Sequence, residues 1–164
     1  MMKTEEVKEE FAMGTDEPYE TLCFVCTGNT CRSPMAEAIF NHIAKREGLA
    51  VRAISAGLAA SRSPMSKNSA EVLRENGIEF DENFISTPID ASIMAKCDKI
   101  VGITGSHAMS LMMRYPQFAG KIFAMPDDIS DPFGGDIDVY RKCFEDIKKA
   151  VILMVVQDDT DKEA

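Results

Sequence analysis

The stretch Val25-Cys26-Thr27-Gly28-Asn29-Thr30-Cys31-Arg32-Ser33-Pro34 constrains this chain more than any other. Leu22 to Val25 is a compact apolar run suited to a buried strand, and the residues after the stretch carry helical spacing. A short loop is therefore aimed at a helix N-terminus. Successive backbone N–H groups in such a loop, backed by the positive end of the helix, form a concave anion site that suits a tetrahedral phosphate. Gly28 lets the backbone approach a ligand closely, and Asn29 is one of the few other residues that tolerate a left-handed conformation. Thr27, Gly28, Asn29, Thr30, Cys31 and Arg32 are thus the candidate phosphate cradle, with Arg32 offering a planar fork to two oxygens. Cys26 would lie beneath the bound phosphorus, where amides and the guanidinium stabilise a thiolate, and a thiolate in that place is a nucleophile.

The rest of the chain reads as alternating strands and helices. Ser33 and Pro34 open a helix with Met35, Ala36, Ile39, Phe40 and Ile43 on one face, and Gly48 stops it. Val51 to Ser55 follows as a second strand, so the unit is a βαβ crossover and the sheet is expected to be parallel. Ser66 to Asn76 reads as a helix ended by Gly77, and Thr87-Pro88-Ile89-Asp90 as the capped start of a short one. Lys99 to Ile103 is a third strand, Ser106 to Arg114 a helix and Lys121 to Ala124 a fourth strand. Asp136 to about Gln157 is a long amphipathic helix with Ile137, Tyr140, Phe144, Ile147, Val151 and Met154 on its buried side. The expected fold is α/β, a single three-layer sandwich around a four-stranded parallel sheet with the phosphate-binding loop after the first strand. Ligands of such sheets sit outside the carboxyl ends of the strands. The loop from Pro126 to Gly135 follows strand four on that edge, which brings Asp131 within reach of a group bound over Cys26.

The 164 residues, 45% of them hydrophobic, suit one domain with a sizeable core. Residues 1–20 hold seven acids and two lysines, and residues 158–164 four acids and one lysine, so most of the net charge of −9 belongs to the tails. The division expected is an acidic, mobile N-terminal extension over 1–20, a catalytic domain over 21–157 and an acidic tail over 158–164. Neither a nucleic-acid footprint nor a membrane segment is read from this pattern, and the N-terminus is not signal-like, so a cytoplasmic location is expected. Five cysteines is an odd number and two lie in the candidate loop, so reduced thiols are expected rather than a disulfide scaffold.

Cys26 through Ser33 matches the C-x5-R-S loop of the low-molecular-weight protein tyrosine phosphatase family, and Asp131-Pro132-Phe133 resembles its distant general-acid motif. The wording Thr-Gly-Asn-Thr-Cys-Arg-Ser-Pro-Met-Ala-Glu, with Asp131-Pro132-Phe133-Gly134-Gly135 later, is most similar to the bacterial protein-arginine phosphatase branch. The resemblance spans roughly residues 21 to 157. It implies Cys26 as nucleophile, Arg32 as phosphate clamp and Asp131 as the acid that protonates the leaving group and later activates water. It also implies that Ser33 bonds the Cys26 thiolate, and that Ser55, in Ser55-Ala56-Gly57, buttresses the loop through Asn29. No cofactor and no metal are implied. The partners implied are phosphorylated protein substrates, with phosphate or other oxyanions as product or inhibitors. Specificity would rest on Thr30 and Phe133: tyrosine-directed relatives carry a larger apolar residue at the position of Thr30, arginine-directed ones threonine. Phe133 then offers a face to a planar guanidinium.

Each of these residues also has a plainer reading. Cys26 could be an inert core thiol, Arg32 a surface arginine, Asp131 a turn cap and Ser33 a helix N-cap. Cys31 is either a packing residue or a partner for a reversible disulfide with Cys26. Cys23 and Cys26, three apart on a strand, point to opposite faces and cannot share a zinc ion. His42 and His107 read as ordinary surface or core histidines, and Met109, Met112 and Met113 as core or helix contacts. Thiol-linked arsenate reductases share the fold but need further redox cysteines, and Cys97 and Cys143 fall in a strand approach and a helix. A non-enzymatic phosphocysteine carrier would not need Asp131.

Overall fold

A computed structural model describes residues 20–163, with side chains described to residue 156. The expected N-terminal extension therefore lies outside the described residues except for Glu20, which already belongs to the first strand. The strands are β1 (Glu20–Cys26), β2 (Val51–Gly57), β3 (Lys99–Gly102) and β4 (Ile122–Ala124). They form one parallel sheet in the order β2-β1-β3-β4. The helices are α1 (Arg32–Glu47), α2 (Lys67–Glu75), α3 (Ala91–Lys96), α4 (Gly105–Arg114) and α5 (Ile137–Glu163).

Alternation along β1 explains the layering. Leu22, Phe24 and Cys26 face a core shared with α1, α2 and α5, while Cys23 and Val25 face a second core shared with α3 and α4. A strand covered on both sides reads as an unbroken apolar run, as Leu22 to Val25 does. The two cysteines of the Cys-x-x-Cys spacing are thus divided by the sheet. Phe24 meets Phe40 edge to face at 5.8 Å between centroids, locking α1 onto β1. Gly48 ends α1 in the left-handed conformation, with φ 65°, as its position after the last apolar residue predicts.

Two sequence expectations give way. Thr87-Pro88-Ile89 does not open a helix; it runs extended beside the end of β2, with Gly57 N–H donating to Thr87 O at 2.8 Å and Ile89 N–H to Gly57 O at 2.9 Å. The short helix α3 is capped instead by Asp90, whose Oδ1 accepts from Ile93 N–H at 2.8 Å. A 3-10 turn over Pro116–Lys121, opened by its proline, joins α4 to β4. Met109, Met112 and Met113 are exposed rather than packed, because His107, Ala108 and Leu111 take the buried face of α4. No described helix is long and apolar enough to cross a membrane.

Candidate active site

The loop of residues 26–32 sits at the carboxyl edge of the sheet, between the end of β1 and the first turn of α1. Asn29 adopts φ 57°, the left-handed turn its side chain tolerates. That turn directs its N–H onto Cys26 Sγ at 3.2 Å. The end of β2 lies directly under the loop: Leu58 and Ala59 N–H groups donate to the Cys26 and Thr27 carbonyls, each at 2.9 Å. A Cβ at Gly57 would stand 2.6 Å from Thr27 O and 3.0 Å from Asn29 Cβ, so only glycine permits this approach.

A buried chain of polar side chains holds the loop from behind. Thr87 N–H donates to Asn29 Oδ1 at 2.8 Å, which fixes the amide so that Nδ2 is the donor. Asn29 Nδ2 then donates to Ser33 Oγ at 2.7 Å and to Ser55 Oγ at 2.9 Å. Ser33 Oγ, having accepted, stands 3.0 Å from Cys26 Sγ and has its own proton to give. Ser55 gives its proton to Glu37 Oε1 at 2.7 Å. Burial pushes the Glu37 carboxyl up to about 7, with the Ser55 bond opposing that shift and Asp81 adding to it. Glu37 is a member of this site that the sequence reading missed. No local signal marks it, because helical spacing does not say which polar side chain of α1 will meet Ser55. Ser33 lies inside α1 rather than at its cap; Cys31 is the N-cap and makes no side-chain capping bond.

Arg32 is 7% exposed and ties two loops together. Its Nη1 donates to Ile129 O at 2.9 Å, and Nη2 lies 3.7 Å from Asp131 Oδ2. The 125–135 loop is pinned further where Met125 N–H meets Gly102 O at 2.9 Å and Asp128 Oδ1 accepts from Gly105 N–H at 2.9 Å. Asp131 Oδ1 accepts from Phe133 N–H at 3.1 Å, leaving Oδ2 toward the arginine. Asp131 is about half exposed and Phe133 is 80% exposed, so both stand at the mouth. Thr30 is half-buried, with its carbonyl held by Ser66 N–H at 2.9 Å.

All five cysteines are free thiols and buried. Cys31 Sγ lies 3.4 Å from the hydroxyl of Tyr140 and 3.7 Å from Thr30 Oγ1. Burial and that sulfur contact raise the Tyr140 phenol to about 12. Cys143, on α5, points at Ser130 O at 3.8 Å, and burial raises its thiol to about 12, so it is held as a neutral thiol. Cys97 lies across the sheet, against Cys23.

His107 is a core histidine, as one of its two readings expected, and it touches the candidate cradle, which that reading did not foresee. Its Nε2 stands 3.0 Å from Thr27 Oγ1 in the candidate cradle. Burial, together with the nearby Arg32 guanidinium, lowers it to about 4, against opposing contributions from Asp131 and Asp128. His42 remains as expected, on α1 against α5 and away from the loop.

The family described as low molecular weight phosphotyrosine protein phosphatase matches residues 21–163. A protein-arginine-phosphatase of Bacillus subtilis is 37% identical over 136 residues, covering 78% of this chain and 89% of its own. One from Geobacillus stearothermophilus is 35% identical over 142 residues, covering 82% and 92%. An arginine phosphatase solved as a cysteine-to-serine mutant with a phosphorylated active site serine superposes with a TM-score of 0.81 at 34% identity, covering 87% of this chain and 98% of that one. The chain belongs to the low molecular weight phosphotyrosine protein phosphatase family.

Proposed function

We propose that this protein removes phosphate from phosphoarginine in proteins through a phosphocysteine intermediate. The observation that carries the reading is that one loop places the Cys26 sulfur under the Asn29 N–H at 3.2 Å and ends in Arg32, whose guanidinium lies 3.7 Å from the Asp131 carboxylate. Cys26 Sγ attacks phosphorus while Arg32 and the loop amides bind the equatorial oxygens. The phosphorus–nitrogen bond breaks toward the guanidino nitrogen, which takes a proton from Asp131. The resulting carboxylate then accepts a proton from water, water oxygen attacks phosphorus, and the sulfur leaves as thiolate with phosphate as product. The Ser33 hydroxyl supports the sulfur as it regains charge.

Three features support arginine as the substrate. Threonine at 30 leaves a short, polar wall where a phenol would want an apolar one. Asp131 in its acid form can give a proton to the leaving guanidino nitrogen and, as the carboxylate, pair with the guanidinium that results, and the exposed Phe133 ring offers a cation a face. The similar bacterial proteins named protein-arginine-phosphatases favour the same choice. Tyrosine dephosphorylation is the second reading, favoured by the family as described. Phosphorylated proteins and released phosphate are the partners of either reading.

The test compares kcat/KM for phosphoarginine and phosphotyrosine in matched peptides, before and after Thr30→Ile. The expected outcome is a preference of at least about tenfold for phosphoarginine that shrinks or reverses on substitution. Equal rates on both peptides, or indifference to Thr30→Ile, would sink the arginine assignment.

A further inference from the structure

We infer that His107 is a positioning residue of the phosphate loop, setting the hydroxyl of Thr27 as a donor to the phosphoryl group. The inference rests on the phosphatase reading above and adds to it a residue outside the loop. It starts from the protons. Thr104 N–H donates to His107 Nδ1 at 3.2 Å, and a backbone amide has only a proton to give, so Nδ1 carries a lone pair. The Thr104 hydroxyl, 3.0 Å from the same nitrogen, can donate there too while accepting from His107 N–H at 3.2 Å. The ring proton is therefore on Nε2, assigned by its partners rather than by choice.

Nε2 lies 3.0 Å from Thr27 Oγ1, so the imidazole donates and the hydroxyl oxygen accepts. A hydroxyl has one proton, and with the imidazole behind it that proton must point elsewhere. Thr27 is exposed and follows Cys26 directly, so its proton is free to meet an incoming phosphoryl oxygen. An unanchored threonine could instead swing its hydroxyl oxygen to another rotamer. His107 holds that oxygen in place before substrate binds, so less of the ordering falls on the bound state.

The ring is itself well held. His107 is 6% exposed, occupies the third position of α4 and closes a capping box with Thr104. Because burial and Arg32 keep it neutral down to about 4, Nδ1 remains an acceptor across the working range. The arrangement depends on neighbours in the sheet: β1 ends in the phosphate loop and β3 leads into α4, and the two strands pair in register from Leu22↔Lys99 to Val25↔Gly102.

A double-mutant cycle on the full-length protein tests the inference, using Thr27→Val, His107→Phe and the pair. Each single variant is expected to lower kcat/KM by about tenfold, mainly through KM, and the pair to lose no more than either one. The inhibition constant for inorganic phosphate should rise in parallel. His107→Gln keeps a donor where Nε2 stood and an acceptor for Thr104, so it is expected to recover most of the loss; Thr27→Ser keeps the hydroxyl and should do the same. Additive losses, a phosphate inhibition constant unchanged by Thr27→Val, or no difference between His107→Gln and His107→Phe would overturn it. If His107→Phe does not fold, His107→Asn, which keeps an acceptor for Thr104 but withdraws the donor from Thr27, takes its place in the cycle. Cys26→Ser measured alongside separates this inference from the phosphatase reading: residual full turnover in that variant would sink the reading, whereas its inactivity beside fully active His107 variants would sink the inference alone.

Discussion

Glu37, half-buried behind the loop, and His107, buried beside it, carry shifts of opposite sign. The Glu37 carboxyl rises from 4.5 to about 7 on burial, so the folded state holds its proton more tightly than the unfolded chain. Its contribution to stability is fully present below 4.5 and is lost as pH rises through about 7. His107 falls from 6.5 to about 4, so its contribution is present above 6.5 and is lost as pH drops toward 4. The shifts are similar in size, each worth roughly 2–3 kcal/mol, so the two contributions offset one another between about 4.5 and 6.5. Glu37→Gln removes one side of this balance. Urea unfolding across pH should show a stability that falls on acidification from 6.5 to 4.5 in the variant and stays flatter in the wild type; parallel curves would refute it. Of these two residues the sequence showed only that they existed, since nothing in their local spacing tells which way a side chain on a helix will face.

At the scale of elements, the decisive piece is the 125–135 loop, which carries Asp131 and, beyond the Met125 N–H bond to the end of β3, is held by side chains. Arg32 binds it through Ile129 O, and Asp128 moors it to the first N–H of α4. Asp128→Ala removes one mooring without touching the reacting groups. It is expected to lower kcat several-fold, as Asp131 spends less time over the mouth, with a loss of about 1 kcal/mol or less in unfolding free energy. Stopped-flow or steady-state turnover beside chemical denaturation checks this, and an unchanged kcat would show that Arg32 suffices. The Asp-Pro dipeptide and its place after β4 were legible in the sequence, and so was the Cys26 to Arg32 spacing that builds the cradle. The misread element was Thr87-Pro88-Ile89, whose local signals suit a helix start. Its backbone instead pairs with Gly57 and supplies the N–H that fixes Asn29, contacts that outweigh a short-range preference.

The whole molecule is a sheet between two cores, and the site stands on its carboxyl edge because both cores are filled. Phe144 is 2% exposed in the core that α1 and α5 share over β1. Phe144→Ala should cost about 3–5 kcal/mol by leaving a cavity, read as a drop in the urea midpoint. A loss under about 1 kcal/mol would show that α5 contributes little to the fold. The sequence by itself determined the parallel α/β architecture and the spacing of Cys26 and Arg32 around one loop, and it marked Asp131 as the candidate acid, because hydrophobic periodicity and short motifs are local properties that survive without coordinates. Only the tertiary structure decided that Thr87, Glu37 and Ser55 stand behind Asn29, that His107 faces Thr27 and that Cys143 lies under the acid loop. Those contacts join residues from 13 to 80 positions apart, and their geometry is set by how strands stack in register and helices settle on them, which no short window of residues encodes.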